Sequence, residues 1–351
     1  MKMNASEQDI ALLDEQYKGR RPFHGEMHDH AKTGGTSDGK ETLTQWRAEM
    51  KRLHMDFAAI LDHRQVRHMF LPEWEDGVFI GGSEPATLIE DIFGKEGLIH
   101  YNMITPGPEE LMTVLEKYPE FEYTGGKEGH FIYPNFYKAR FNKLIDDIRA
   151  VGGFFVHPHP KQMMVSDDPE DYWFQDETGI EVFYNTIESD HTKLNYDLWV
   201  QLLALGKRVW ACSGGDGHSR CSDATLTTIY AEEAKNRSYL SHLRVGDFAC
   251  GPIGFRMSIG DTLMGGKCEF AGKRLVFSVG DFHRSVVYPD HEYRIDLIDD
   301  TGFVASMPTT CDKTTYGAFD IRADRKFYRL EVFDVTRNVR IGIGNPIWNR
   351  K

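Results

Sequence analysis

Phe23-His24-Gly25-Glu26-Met27-His28-Asp29-His30 closes on a His-x-His pair and gives way to a glycine-rich loop, Thr33 to Gly39. The arrangement recurs along the chain. Phe57 to Leu61 ends in Asp62-His63, Gly153 to Val156 ends in His157-Pro158-His159, and Arg208 to Ser213 runs into Gly214-Gly215-Asp216-Gly217-His218. Each apolar run has the length of a buried strand, and each ends in His or Asp/His before a loop. Between the runs lie segments of helical period. Leu43, Trp46, Met50 and Leu53 form one stripe, opened by a Thr42/Gln45 capping-box pattern. Phe141, Leu144, Ile145 and Ile148 form a second; Leu194, Leu198, Leu202 and Leu205 form a third, with Gly206 as its C′ residue. Strand, His and helix in repeated order predict a parallel β/α architecture, in which groups at the C-terminal strand ends converge on one face.

Residues i and i+2 on a strand point to the same side, so His28/His30, His157/His159 and Asp216/His218 can each offer two ligands to one cavity while the chain stays extended. Imidazole mixed with carboxylate suits zinc, manganese or iron, whereas an all-oxygen set suits magnesium or calcium. His54, His68, His191, His242, His283 and His291 lack this placement and are expected to serve as surface or hydrogen-bonding groups.

The 351 residues allow two domains, and 41 Lys and Arg against 54 Asp and Glu leave a net charge of −13. Such an acidic balance argues against nucleic acid as a partner, because phosphate-backbone binding draws on clustered cations. No apolar run approaches the length of a membrane span, and the polar start, Met1 to Gln8, carries no signal-peptide core; a cytoplasmic protein is expected. Five dispersed cysteines without a CxxC indicate neither a disulfide framework nor a zinc ribbon. From about Phe248 the texture changes to short β-like runs separated by turns, which predicts an all-β sandwich over 248–351 after a catalytic domain over 1–247. The stretch 104–135, rich in Pro, Gly and aromatics, reads as an insertion and a substrate-selecting lid.

These residues resemble the polymerase and histidinol phosphatase (PHP) family of metal-dependent hydrolases. His28-Asp29-His30 with Ser37-Asp38-Gly39 looks like its first motif, Ala59 to His63 its second with Leu61 in place of Thr, Gly82-Ser83-Glu84 its GxE element, Val156-His157-Pro158 its third motif and Asp216-Gly217-His218 its closing DxH. Gly179 to Asn185, Gly97 to Asn102 and Ile343 to Trp348 are similar to elements of the carbaryl-hydrolase-like branch, so the resemblance covers nearly the whole chain. It implies a distorted (β/α)7-like barrel followed by a β-sandwich, and two or three divalent transition-metal ions (Zn, Mn or Fe). By the same resemblance His28, His30, Glu84 and Asp216 would hold a first ion. Glu84, His100 and His157 would hold a second, and Asp38, His63 and His218 a third. Glu73, Glu90 and His130 are neighbouring alternatives to Glu84 and His100.

Two ions about 3.5 to 4 Å apart can share and acidify a water and clamp the oxygens of a displacement at phosphorus or an acyl carbon. Arg64 and Lys161, with Asn185, are the candidates for holding the substrate; either cation can also be read as a solvated strand-end charge. His159 is the candidate general acid, or a group that orients a ligand, and Asp216 is counted as catalytic as well as metal-binding. The expected activity is hydrolysis of a small-molecule phosphate ester. Carboxylic or carbamate ester hydrolysis is the alternative on the same site, and a non-catalytic metal-stabilised binding module the alternative of another class. A homo-oligomer is compatible with the sequence, and no membrane partner is expected.

Overall fold

The computed structural model describes residues 3–89, 97–121, 133–164, 166–219 and 224–350. Seven strands form the arc on which the site is built: β1 (Arg21–Asp29), β2 (Phe57–Ile60), β3 (Phe79–Ser83), β4 (Asn102–Thr105), β5 (Phe154–His157), β6 (Gly179–Tyr184) and β7 (Trp210–Gly214). They neighbour one another in that order within one large sheet. All pairings are parallel except those of β4, which runs against both β3 and β5. The ends of this arc meet through one bridge: beyond β7, the N–H of His30 donates to the Gly217 carbonyl at 2.8 Å and that of Gly217 to the His28 carbonyl at 3.1 Å.

The reversal of β4 places its beginning, not its end, on the rim where the other six strands finish. His100 therefore reaches that rim from the residues before a strand, whereas the other histidines follow one. Ile104 and Thr105 belong to β4, so the stretch expected to be an insertion begins inside the sheet. Residues 122–132, with His130, and Glu90 lie outside the described residues.

Seven helices occur among the described residues: α1 (Glu7–Gln16), α2 (Leu43–Leu53), α3 (Pro108–Leu115), α4 (Lys138–Ala150), α5 (Pro160–Met163), α6 (Asp190–Ala204) and α7 (Asn236–Leu243). The Thr42/Gln45 capping box opens α2, which buries Leu43, Trp46, Met50 and Leu53. On α4, Phe141, Leu144, Ile145 and Ile148 are buried. The face of α6 is rotated from the expected stripe: Leu198, Trp199, Leu202 and Leu203 are buried, while Leu194 and Leu205 face solvent. Trp199 decides this, because its large ring is sealed and its Nε1 donates to the Val209 carbonyl at 2.8 Å.

Past β1 the same sheet continues without a break through β8 (Thr227–Ala231) and β9 (Phe248–Cys250) into strands from the end of the chain. A separate four-stranded sheet is built from Thr262–Leu263, Gly254–Ile259, Arg274–Gly280 and Thr315–Asp320. Phe277 and Val279 from that sheet share one continuous apolar core with Leu330 and Val332 of the large sheet and with Phe155 and Ile180 of the arc. Helix α1 packs on the four-stranded sheet through Leu13, Val276 and Ala318, with Tyr17 and Tyr230 of β8 in the same cluster, Arg274 on Asp9 at 2.7 Å and Arg256 on Asp14 at 2.8 Å.

Asn345, in the terminal Asn-Pro-Ile-Trp stretch, is fully buried and ties the two regions together. Its Oδ1 accepts from the Ala211 N–H at 2.8 Å and its Nδ2 donates to the Phe248 carbonyl at 3.0 Å. Replacing Asn345 by Ala strands two buried backbone groups, each costing about 1 to 3 kcal/mol. The expected loss in unfolding free energy is about 2 to 4 kcal/mol by urea titration. A loss below about 0.5 kcal/mol would show that the seam does not depend on this side chain.

Candidate metal centre

Among the described residues three groups of donors converge on the rim: His28, His30, Glu84 and Asp216; Glu84, His100 and His159; and His30, Asp38, His63 and His218. The first is the most buried, with His28 and His30 at 0% exposure and Glu84 at 1%. In it His28 Nε2 lies 3.2 Å from His30 Nε2, and both lie 3.3 Å from Glu84 Oε2; Asp216 Oδ1 is 3.1 Å from His30 Nε2 and 3.6 Å from His28 Nε2. A tetrahedron of ligands about 2.0 to 2.1 Å from a central cation has edges of about 3.3 Å. The four donors fit such a cation.

The tautomers support the same conclusion. His28 Nδ1 is 2.8 Å from Glu181 Oε1, an acceptor only, so Nδ1 keeps its proton and, in the neutral ring that a cation needs, Nε2 turns a lone pair toward the carboxylates. His218 repeats this: Nδ1 donates to the Asp216 carbonyl at 2.8 Å, leaving Nε2 to face Asp38 Oδ1 at 3.1 Å. Glu84 Oε2 is sealed from solvent and accepts no hydrogen bond from the described residues, although nitrogens of His28, His30 and His63 stand 3.1 to 3.3 Å away. Buried lone pairs aimed at one another in this way are what a cation resolves.

Glu84 Oε1 is the meeting point of the second group, 2.9 Å from His100 Nδ1 and 3.1 Å from His159 Nε2. Here the structure corrects the expectation for the third motif, because His159, not His157, faces Glu84. The extended conformation ends with β5 at His157, and His159 adopts a left-handed backbone with φ 29°, so the same-side rule for i and i+2 no longer applies. The His157 ring instead packs between Phe155 and Phe174, and burial drives its pKa down to about 3. His159, expected as the general acid, stands among the donors.

The outer group is more open. Asp38 has a side chain 57% exposed and lies 3.5 Å from His63 Nε2, while the His30 ring is stacked between those of His63 and His218 at 4.4 Å from each. The neighbouring imidazoles hold the Asp38 carboxyl well below the usual range, against the opposing effect of burial. A cavity of about 220 Å³ opens beside the donors, lined by Asp38, His63, Arg64, Glu84, His100 and Tyr133. Arg64 lies in its wall with its guanidinium 5.3 Å from the Tyr133 ring centre. Lys161 and Asn185 do not line this cavity. Lys161 Nζ pairs with Asp167 at 3.1 Å, and Asn185 is exposed, its N–H closing on the Gly214 carbonyl at 3.2 Å. Arg64, His159, Asn185 and Asp216 all have positive φ, a strained conformation concentrated at the strand ends.

Two orienting residues had no assigned role in the sequence reading. Glu181 accepts from His28 through Oε1 and from the His159 N–H through Oε2 at 2.8 Å, and Tyr184 donates to Asp216 Oδ2 at 2.9 Å, leaving Oδ1 for the cluster. Both lie on β6, where a glutamate inside a six-residue strand buried throughout was the available signal. Gly214 lets Glu181 in: a Cβ there would sit 2.1 Å from Glu181 Oε1.

No family model and no curated protein matches the chain. Similar solved structures include a candidate metal-dependent phosphoesterase from Bifidobacterium adolescentis, 16% identical over 55% of this chain and 87% of that one, with a TM-score of 0.35. An amidohydrolase from Chromobacterium violaceum with bound sulfate and no metal is 16% identical over 56% of this chain and 87% of its own, with a TM-score of 0.37. Endonuclease Q in complex with a 27-mer duplex carrying an abasic lesion is 12% identical over 65% and 58% of the two chains, with a TM-score of 0.43. At these TM-scores the reading of the site stands on its own geometry.

Two outcomes are expected. Tyr184→Phe should weaken cation binding about 10- to 100-fold by calorimetry, the usual effect of removing a ligand's orienting partner; unchanged affinity would remove Tyr184 from the site. Burial opposes protonation of His28 and His30, but the surrounding carboxylates outweigh it, raising both pKa values, to about 9 for His30. In the metal-free protein this stabilisation is complete below the unfolded value of 6.5 and is lost as pH rises through about 9. Cations need the neutral imidazoles, so they bind more tightly over the same interval. The gap in Tm between cation-loaded and metal-free protein should therefore widen from pH 6.5 to 9, and a constant gap would contradict the ligand set.

Proposed function

We propose that this chain is a metal-dependent phosphoesterase acting on a small-molecule phosphate ester, with the seven-strand arc serving as a distorted barrel of the PHP kind and the C-terminal strands as a packed β-sandwich. The observation that carries the reading is the charge balance of the donor groups. Their carboxylates are Asp38, Glu84 and Asp216, and the other members are imidazoles. Three divalent cations against three carboxylates leave a net charge of about +3, and two cations on Glu84 and Asp216 about +2. That excess matches a phosphate monoester dianion, whereas a neutral carboxylic ester does not call for it.

In this reading His28, His30, Glu84 and Asp216 hold one cation, Glu84, His100 and His159 a second, and Asp38, His63 and His218 a third. When bound, zinc, manganese or iron ions supply an acidified water and positive charge for the transferring group. The remaining work falls to the chain. Glu181 and Tyr184 fix the orientation of His28 and Asp216. Arg64 lies in the cavity wall to hold a substrate anion.

The test is the initial rate of manganese- or zinc-loaded protein on an aryl phosphate beside the matching aryl acetate. Phosphate release should dominate, and His30→Ala or Asp216→Ala should lower it at least about 10³-fold together with cation content, as expected when a group acting at the reaction centre is lost. Faster cleavage of the acetate would turn the assignment to ester hydrolysis. Full cation content in the His30→Ala, Asp216→Ala double variant would overturn the ligand set.

A further inference from the structure

We propose that Asp62, backed by His68, is a positioning residue that holds the Asp38 loop in place and thereby sets the affinity of the outer donor group without entering it. The proposal rests on the metal-centre reading above. Asp62 immediately precedes the donor His63, yet its carboxylate turns away from the cluster and is fully buried. Oδ1 accepts from the Ala31 N–H at 2.7 Å, Oδ2 accepts from the Thr33 hydroxyl, and His68 Nδ1 lies 3.2 Å from Oδ2. His68 is itself at 0% exposure.

Ala31 and Thr33 form the root of the loop that carries Asp38. The loop closes on itself, with the Lys32 N–H donating to the Glu41 carbonyl at 2.7 Å and the Ser37 hydroxyl to the Ala31 carbonyl at 2.5 Å. Gln65 Nε2 reaches the Gly34 carbonyl at 2.8 Å, and the Thr36 hydroxyl reaches the His63 carbonyl. At the far end Gly39 presses on the inner histidine, since a Cβ there would lie 2.5 Å from the His30 carbonyl oxygen. Asp38 itself has no comparable packing, its side chain being 57% exposed against 1% for Glu84 and 20% for Asp216. The place of Asp38 is therefore set through the loop's root, and Asp62 is the buried group at that root.

The chemistry of the pair explains the residue type. The Ala31 N–H reaches one oxygen of Asp62, while the Thr33 hydroxyl and His68 Nδ1 both stand at the other, where an amide would turn its NH₂ toward the His68 ring. The inner donors, by contrast, sit on or within two residues of the ends of β1, β3 and β7, and His28, His30 and Glu84 are buried there. Loosening the root should weaken the outer site and spare the inner one.

The experiment titrates Mn²⁺ or Zn²⁺ into metal-free full-length protein by calorimetry, with bound metal counted after dialysis and Tm recorded for each variant. Asp38→Ala is the reference. Thr33→Val, Asp62→Asn and His68→Phe should weaken the weakest-bound cation about 10-fold or more, as Asp38→Ala does, while the tightest keeps its affinity within about twofold. If Asp62→Asn fails to fold, Thr33→Val, at a half-buried position, decides. Wild-type binding of every cation in Thr33→Val, with one lost in Asp38→Ala, overturns the positioning role, as does equal weakening of all cations. If Asp38→Ala leaves every cation in place, the outer donor group itself falls, and the proposal with it.

Discussion

A carboxylate sealed inside a protein costs several kcal/mol unless its charge is met, and Glu84 is sealed at 1% exposure. Five imidazoles meet it, those of His28, His30, His63, His100 and His159. They come from the ends of β1, β2 and β5 and from the approach to β4, so four strands must bring one end each to one small volume. This constraint accounts for much of the architecture. The arc closes by the bridge between Asp29 and Gly217 because His30 and Asp216 must touch, and β4 can run backwards because only its first end has to reach the rim.

The remaining geometry serves to turn side chains inward where the strands stop. Arg64, His159 and Asp216 adopt left-handed conformations that L residues normally avoid. Strain of this kind persists when surrounding bonds over-determine it. For His159 the bond is visible: its N–H is held by Glu181 Oε2, the same carboxylate that fixes His28. One buried glutamate on β6 thus sets two members of different donor groups and couples the inner group to its neighbour.

The sequence made the strand-end histidines legible because apolar runs and their terminators are local signals. His28, His30, His63, Asp216 and His218 converge as their placement predicted, and Glu84 and His100 join them, although the spacing alone left Glu73 among the alternatives to Glu84. What spacing could not reveal was where extension ends. His157 and His159 share a periodicity that predicts a common face, but Pro158 lies just past the end of β5, and the backbone turns before the second histidine. Orienting groups were hidden for a different reason. Tyr184 and Glu181 act through partners 32 and 153 positions away in the chain, Asp216 and His28, and no local pattern encodes such a pairing. The helical stripe on α6 was misread by one step because Trp199, being large, outweighs Leu194 and Leu205 in choosing the buried face.

The relation between the two ends of the chain follows from the same logic of satisfying buried groups. A sheet that must present β1 and β7 to one site still has an outer edge at β1, and an unpaired edge invites unwanted association. Here that edge is paired with β8, then β9, then strands from the terminal region, so the second layer of the fold is grown by hydrogen bonding from the strand that bears His28 and His30. Asn345 closes the seam by supplying the acceptor that Ala211 needs on β7 and the donor that Phe248 needs on β9. The C-terminal strands therefore hold both flanks of the donor cluster. They brace β1 through β8 and β9, and β7 through Asn345, while the Asp29–Gly217 bridge between those strands brings His30 to 3.1 Å from Asp216.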